Sequence, residues 1–111
     1  VHLSKMEDYE GSLDYQHQAL RVKEKVLGKS HPDTLMTIVN MGTAYARGLK
    51  DYTKAEEMFR QALDGYEKSL GKDHEYTKTS AGNLGLVFKM QGRLEEKAAL
   101  ERKYRDVWKR R

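Results

Sequence analysis

Residues Leu27 to Thr34 read LGKSHPDT, and residues Leu70 to Thr77 read LGKDHEYT. Leucine, glycine, lysine, histidine and threonine recur at the same places, 43 residues apart. Gly28, Lys29 and Ser30 also spell the tail of a phosphate-binding loop, so the stretch poses a choice between a nucleotide site and a structural marker. A phosphate loop needs G-x-x-x-x-G-K-[ST] after a strand, with backbone N–H groups free to wrap the phosphates. Here the first glycine position is Lys23, the preceding RVKEKVL is charged and does not alternate, and the second copy puts Asp73 where the hydroxyl must be. The stretch is the punctuation of a repeat.

Shifting the chain against itself by 43 residues gives thirteen identities over positions 9–45, where composition alone gives about two or three. The matches run from Tyr9 with Tyr52, through Ala19 with Ala62 and His31 with His74, to Gly42 with Gly85. Between the markers the apolar and small residues Tyr52, Ala55, Phe59, Ala62, Leu63, Tyr66 and Leu70 step by three and four, one face of a helix. Gly71 supplies the positive-φ residue that ends such a helix. Ser30, with Asp33 three residues on, reads as a capping box, and Pro32 falls in the first turn, where its missing N–H costs little. Gly48 reads as the stop of the helix that follows.

The expected helices are 5–27, 32–47, 51–70, 75–91 and 93–110. Gly42, Gly85 and Ala62 lie inside them, and a helical glycine costs about 1 kcal/mol against alanine, so close approach of neighbouring helices is expected there. One proline, few Val and Ile runs, 38% hydrophobic and 34% charged residues favour an all-α array with a thin core. A chain of 111 residues supports one domain. Because the sequence opens in mid-repeat, it reads as a piece of a longer array.

The run Asn40, Met41, Gly42, Tyr45, Gly48, Tyr52, Ala55, Phe59 and Ala62 resembles a tetratricopeptide repeat. With L-G-x-x-H-P-x-T between units and a period near 42, it resembles the kinesin light chain subclass. Proline is replaced by Glu75 in the second copy, and the first unit carries an extra residue in ARGLKDY. The resemblance implies a right-handed superhelical solenoid of antiparallel helix pairs, about two and a half units over residues 1–111, acting as a protein-binding scaffold or adaptor.

Carried onto matching positions, the resemblance makes Met36, Val39, Asn40, Thr43 and Arg47 the groove stripe of one inner helix, with Ala46 beside Arg47. It makes Thr79, Gly82, Asn83, Leu86, Lys89 and Met90 the stripe of the next. Leu35, Ile38, Met41, Tyr45, Ala81, Leu84 and Phe88 would face the core. The implied partner is an extended peptide with apolar side chains, and Arg47 and Lys89 would steer acidic sequences. Val39 and Gly82 replace the asparagines of the kinesin-type groove, and the lysine–asparagine clamp for chaperone tails is missing, so chaperone C-termini are not expected partners. Asn40 and Asn83 can also brace neighbouring helices, and a second reading makes the chain a structural stretch of solenoid with no ligand of its own.

The last helix departs from the pattern. It reads as a terminal cap with Leu94, Ala98, Tyr104 and Trp108 inward, and with Glu101–Arg105 and Asp106–Arg110 pairs at i,i+4 on its surface. KYRDVWKRR has the aromatic and basic content of a nucleic-acid surface, but Glu101 and Asp106 interrupt it and the aromatics are needed to seal the stack. The net charge of +4 is intermixed rather than massed.

With no cysteine there is no disulfide, thiol catalyst or thiolate metal site, and His31 and His74 are better placed for first-turn contacts than for a shared metal. No nucleophile–base pair is proposed by spacing, and no cofactor is expected. No apolar run reaches the roughly 18 residues of a membrane span, and a cytoplasmic setting is expected. The first helix lacks a preceding partner, so Leu13 or Tyr15 is expected to be exposed and open to self-association.

Overall fold

A computed structural model describes the backbone of residues 2–109 and the side chains of residues 8–105. Among these residues it is all-helical. Helix α1 spans His2–Leu27, α2 Pro32–Thr43, α3 Tyr52–Leu70, α4 Glu75–Met90 and α5 Leu94–Lys109, and a π-helical turn, Ala44–Leu49, continues α2. Each helix packs chiefly on its neighbours in sequence, giving a slab of 43 × 36 × 20 Å.

The repeated spacer explains the corners. Gly28 at φ 97° and Gly71 at φ 88° take a backbone conformation that a Cβ would strain, and they end α1 and α3. Each glycine carbonyl then accepts from the threonine six residues on: Thr34 Oγ1 to Gly28 O is 2.8 Å, and Thr77 Oγ1 to Gly71 O is 2.7 Å. Both threonines are fully buried. The intervening histidine starts the next helix, its Nδ1 accepting from the backbone N–H two residues on at 3.1 Å for His31 and 3.0 Å for His74. The first-turn role of the histidines is thus the observed one, whereas the expected cap Ser30 instead offers its carbonyl to Ser69 Oγ at 2.7 Å. The histidines rather than the serine occupy the N-cap position, in extended backbone with ψ near 138° and 143° in the two copies.

Two buried clusters form the core. Leu35 and Ile38 of α2 meet Ala62 and Tyr66 of α3, with Leu20 of α1 against them. Ala55, Phe59 and Leu63 of α3 meet Ala81, Leu84, Val87 and Phe88 of α4 and Tyr104 of α5. Val39 touches both clusters and joins them. Burial of each such large side chain contributes about 1.5–3 kcal/mol. Close approach holds at Gly42, where a Cβ would lie 2.8 Å from the Phe59 ring, and also at Gly65, where it would lie 2.6 Å from Leu35 Cδ2. At Gly85 it would meet nothing nearer than 3.8 Å, so tight packing does not account for that glycine.

Two further expectations are corrected, and the exposed residue expected on α1 is Tyr15 rather than Leu13. Gly48 does not stop the second helix: the backbone continues through the π-turn and reverses at Lys50, the one non-glycine residue at positive φ (55°) among the described residues. Gly48 is required instead because a Cβ there would fall on the Tyr9 ring of α1. Leu94, the first residue of α5, points outward at 61% exposure, and Tyr104 and Leu100 are the residues of that helix that pack on the core. Leu13 is buried at 4%, leaving Tyr15 exposed at 73%. The side chain of Trp108 and the Asp106–Arg110 pair lie outside the described residues.

Helix α5 is fastened by a charged clasp. Arg93 donates through Nη1 to Glu56 and to Gln91 Oε1 (2.9 Å), and through Nε to Glu96 Oε1 at 2.7 Å. Its guanidinium also lies 4.7 Å from the Phe88 ring centre, with Arg60 at 5.3 Å. The Arg93 hydrogen bond holds the Glu56 carboxyl below its ordinary value, and Glu96 with Glu56 raises Arg93 above that of a free arginine. These charges are spent on joining α3, α4 and α5.

Candidate functional site

Beside the junction of the two cores, the inner helices leave a hollow of about 240 Å³ open to solvent. Its floor is Phe59, Val87 and Tyr52, its apolar wall is Leu86, Met90 and Ala46, and its polar groups are Thr43, Asn83, Arg47 and Lys50. Leu86 and Met90 are 47% and 55% exposed, so they present apolar surface that the fold does not use. Thr43 Oγ1 is turned back to the Val39 carbonyl at 3.1 Å, which leaves the two cations and Asn83 as the polar edge.

The π-turn builds the cationic edge. Its extra residue lengthens the path from Asn40 to Tyr52 by one relative to that from Asn83 to Leu94. A π-bulge absorbs one inserted residue without ending the helix. The Lys50 and Asp51 backbone N–H groups then both close on the Tyr45 carbonyl, and Asp51 Oδ1 caps α3 by accepting from Lys54 N at 3.1 Å. Tyr45 itself is held by His17 of α1 at 3.2 Å. Arg47 and Lys50 are exposed, make no ion pair among the described residues, and no carboxylate lines the hollow.

Of the positions expected in the groove, Thr43, Arg47, Asn83, Leu86 and Met90 come together here. Met36, Asn40, Thr79, Gly82 and Lys89 are exposed but do not line the hollow, and Val39 is half-buried between the cores. Sequence reasoning missed Lys50, Tyr52, Phe59 and Val87 as lining residues. For Lys50 a signal existed, the extra residue in ARGLKDY, whereas Tyr52, Phe59 and Val87 read simply as packing positions.

Two other hollows, of about 290 and 310 Å³, flank Leu84 and Leu100. Their charges are of both signs and largely matched: Lys103 stands 3.8 Å from Glu67, and Arg60 bonds Glu56 at 2.8 Å. Unmatched charge therefore marks the first hollow as the better candidate. Among the described residues no group of His, Asp or Glu is placed to hold a metal ion, and no helix is long and apolar enough to cross a membrane.

Stacked helix pairs with an open inner face define the class of helical repeat scaffolds. The tetratricopeptide repeat model matches residues 1–68 and again residues 39–109. The chain belongs to the tetratricopeptide repeat family, whose repeats are generally protein–protein interaction modules. A search of curated proteins finds no significant match.

Proposed function

We propose that this chain is a scaffold or adaptor module of the kinesin light chain-like kind, working in the cytoplasm, whose inner groove binds an extended acidic segment of another protein. The observation that carries this reading is the juxtaposition of exposed Leu86 and Met90 with Arg47 and Lys50, two cations that make no ion pair among the described residues. One apolar side chain of the ligand entering the hollow contributes about 1.5–3 kcal/mol. Carboxylates beside it meet the cationic edge for about 0.2–1 kcal/mol each, and gain more in association rate than in affinity.

The test is an array of short acidic peptides, each carrying one bulky apolar residue, probed with the unaltered chain and with the double variant Leu86→Ser, Met90→Ser. Both residues are surface-exposed, so helicity should be unchanged. Loss of about tenfold or more in affinity supports the groove. Absence of binding by the unaltered chain favours the alternative, a structural stretch of solenoid. Tyr15, Val22 and Val26, at 73%, 62% and 72% exposure on one face of α1, support a separate contact in which two copies cover one another. Sedimentation of Val22→Glu, Val26→Lys against the unaltered chain tests it, a monomer in both excluding that contact.

A further inference from the structure

Two local anomalies of the backbone, the π-turn and a left-handed lysine, fall together at the rim of one hollow. A left-handed conformation costs a non-glycine residue about 1–2 kcal/mol, and such strain, where it is observed, points to a site. The second unit makes the same exit without it: Gly92 takes φ 74°, and the following Arg93 is drawn into the Glu56–Glu96 clasp. The first unit places Lys50 at the position of Gly92, and leaves it lining the hollow with Arg47. Glycine would satisfy the backbone better, whereas lysine sets a charged side chain at the rim of the hollow at the cost of that strain.

We propose that Lys50 is a specificity-determining residue, strained into place so that its ammonium and the Arg47 guanidinium together donate to a carboxylate adjoining the apolar side chain that fills the hollow. The pair selects acidic over amide-bearing peptides, and the extra residue of the π-turn is the device that brings both cations to one edge. This rests on the groove reading above. It adds a charge selection that the apolar wall alone would not exert.

The experiment uses matched peptides, a bulky apolar residue flanked by glutamates and the same peptide flanked by glutamines, titrated against the unaltered chain, Lys50→Gly and Lys50→Gln. The unaltered chain is expected to prefer the glutamate peptide, and both variants to lose about three- to fivefold of that preference at low salt. Lys50→Gly should at the same time melt about 3–5 °C higher, because the strain is relieved, and Lys50→Gln should not. A merely structural lysine would move melting without moving the preference. Preference retained in both variants, or no preference in a chain that binds both peptides, overturns the inference and leaves the groove standing. Failure of the unaltered chain to bind either peptide overturns the groove reading and this inference with it.

Discussion

At Gly28–Thr34 and at Gly71–Thr77 the chain turns through one set of bonds: a positive-φ glycine, a threonine hydroxyl on its carbonyl and a histidine nitrogen on the next helix. At the other ends of α2 and α4 the same duplicated sequence diverges. The first exit runs through a π-turn and a strained Lys50, and leaves its cations facing water. The second passes through Gly92 and locks Arg93 between two glutamates. Each corner turns the chain from one helix into the next with the same bonds. The exits differ in what they border: one rims an open hollow and the other seats the last helix.

The largest expected effect tests whether the two exits share one core. The Phe59 ring sits against Gly42 in the first unit and belongs to the cluster of the second. Phe59→Ala should cost about 3–5 kcal/mol in urea unfolding, and a loss below about 1 kcal/mol would mean that the units are stabilised independently. Next comes the clasp. Glu56→Gln removes the charge from the Arg93 and Arg60 bonds and should cost about 1–2 kcal/mol at neutral pH. Because Glu56 titrates below its ordinary 4.5, the contribution is complete above pH 4.5 and is lost as pH falls towards the lowered value. Stability of the variant should lack that step, and an unaltered acid limb would exclude the clasp as its source.

A smaller effect sets the exits directly against each other. Gly92→Lys imposes on the second exit the strain of the first and should destabilise by about 1 kcal/mol, while Lys50→Gly should stabilise by about 0.5–1 kcal/mol. Thermal melts giving both changes the same sign would abolish the distinction. Smallest are the caps. His31→Ala and His74→Ala should each cost about 0.5–1 kcal/mol, and a clearly unequal pair would show that the corners are less alike than their bonds.

The difference between corners and exits is also the difference between what could and could not be read from the amino acids. The spacers were legible because a glycine, a histidine and a threonine act within seven residues of one another, and the helices because their apolar faces recur at three and four. The extra residue in ARGLKDY was visible, but where it is absorbed depends on Tyr9 of α1 lying against Gly48 and on His17 holding Tyr45. Those are contacts made across the fold. Lys50 therefore lines the hollow with Arg47 where Lys89 was expected, and Leu94, at the first position of the last helix, points outward.

Stacking of each helix mainly on its sequence neighbours also shapes how the chain reaches this state. Few distant segments must meet before a contact is rewarded, and helical chains of such low contact order fold in microseconds to milliseconds. A near-linear array can nucleate wherever one pair closes and grow outward from it. The α2–α3–α4 centre, which holds most of both clusters, is the natural nucleus. Opening should then proceed inward from α1 and α5, with amide exchange slowest around Ile38, Ala62 and Leu84.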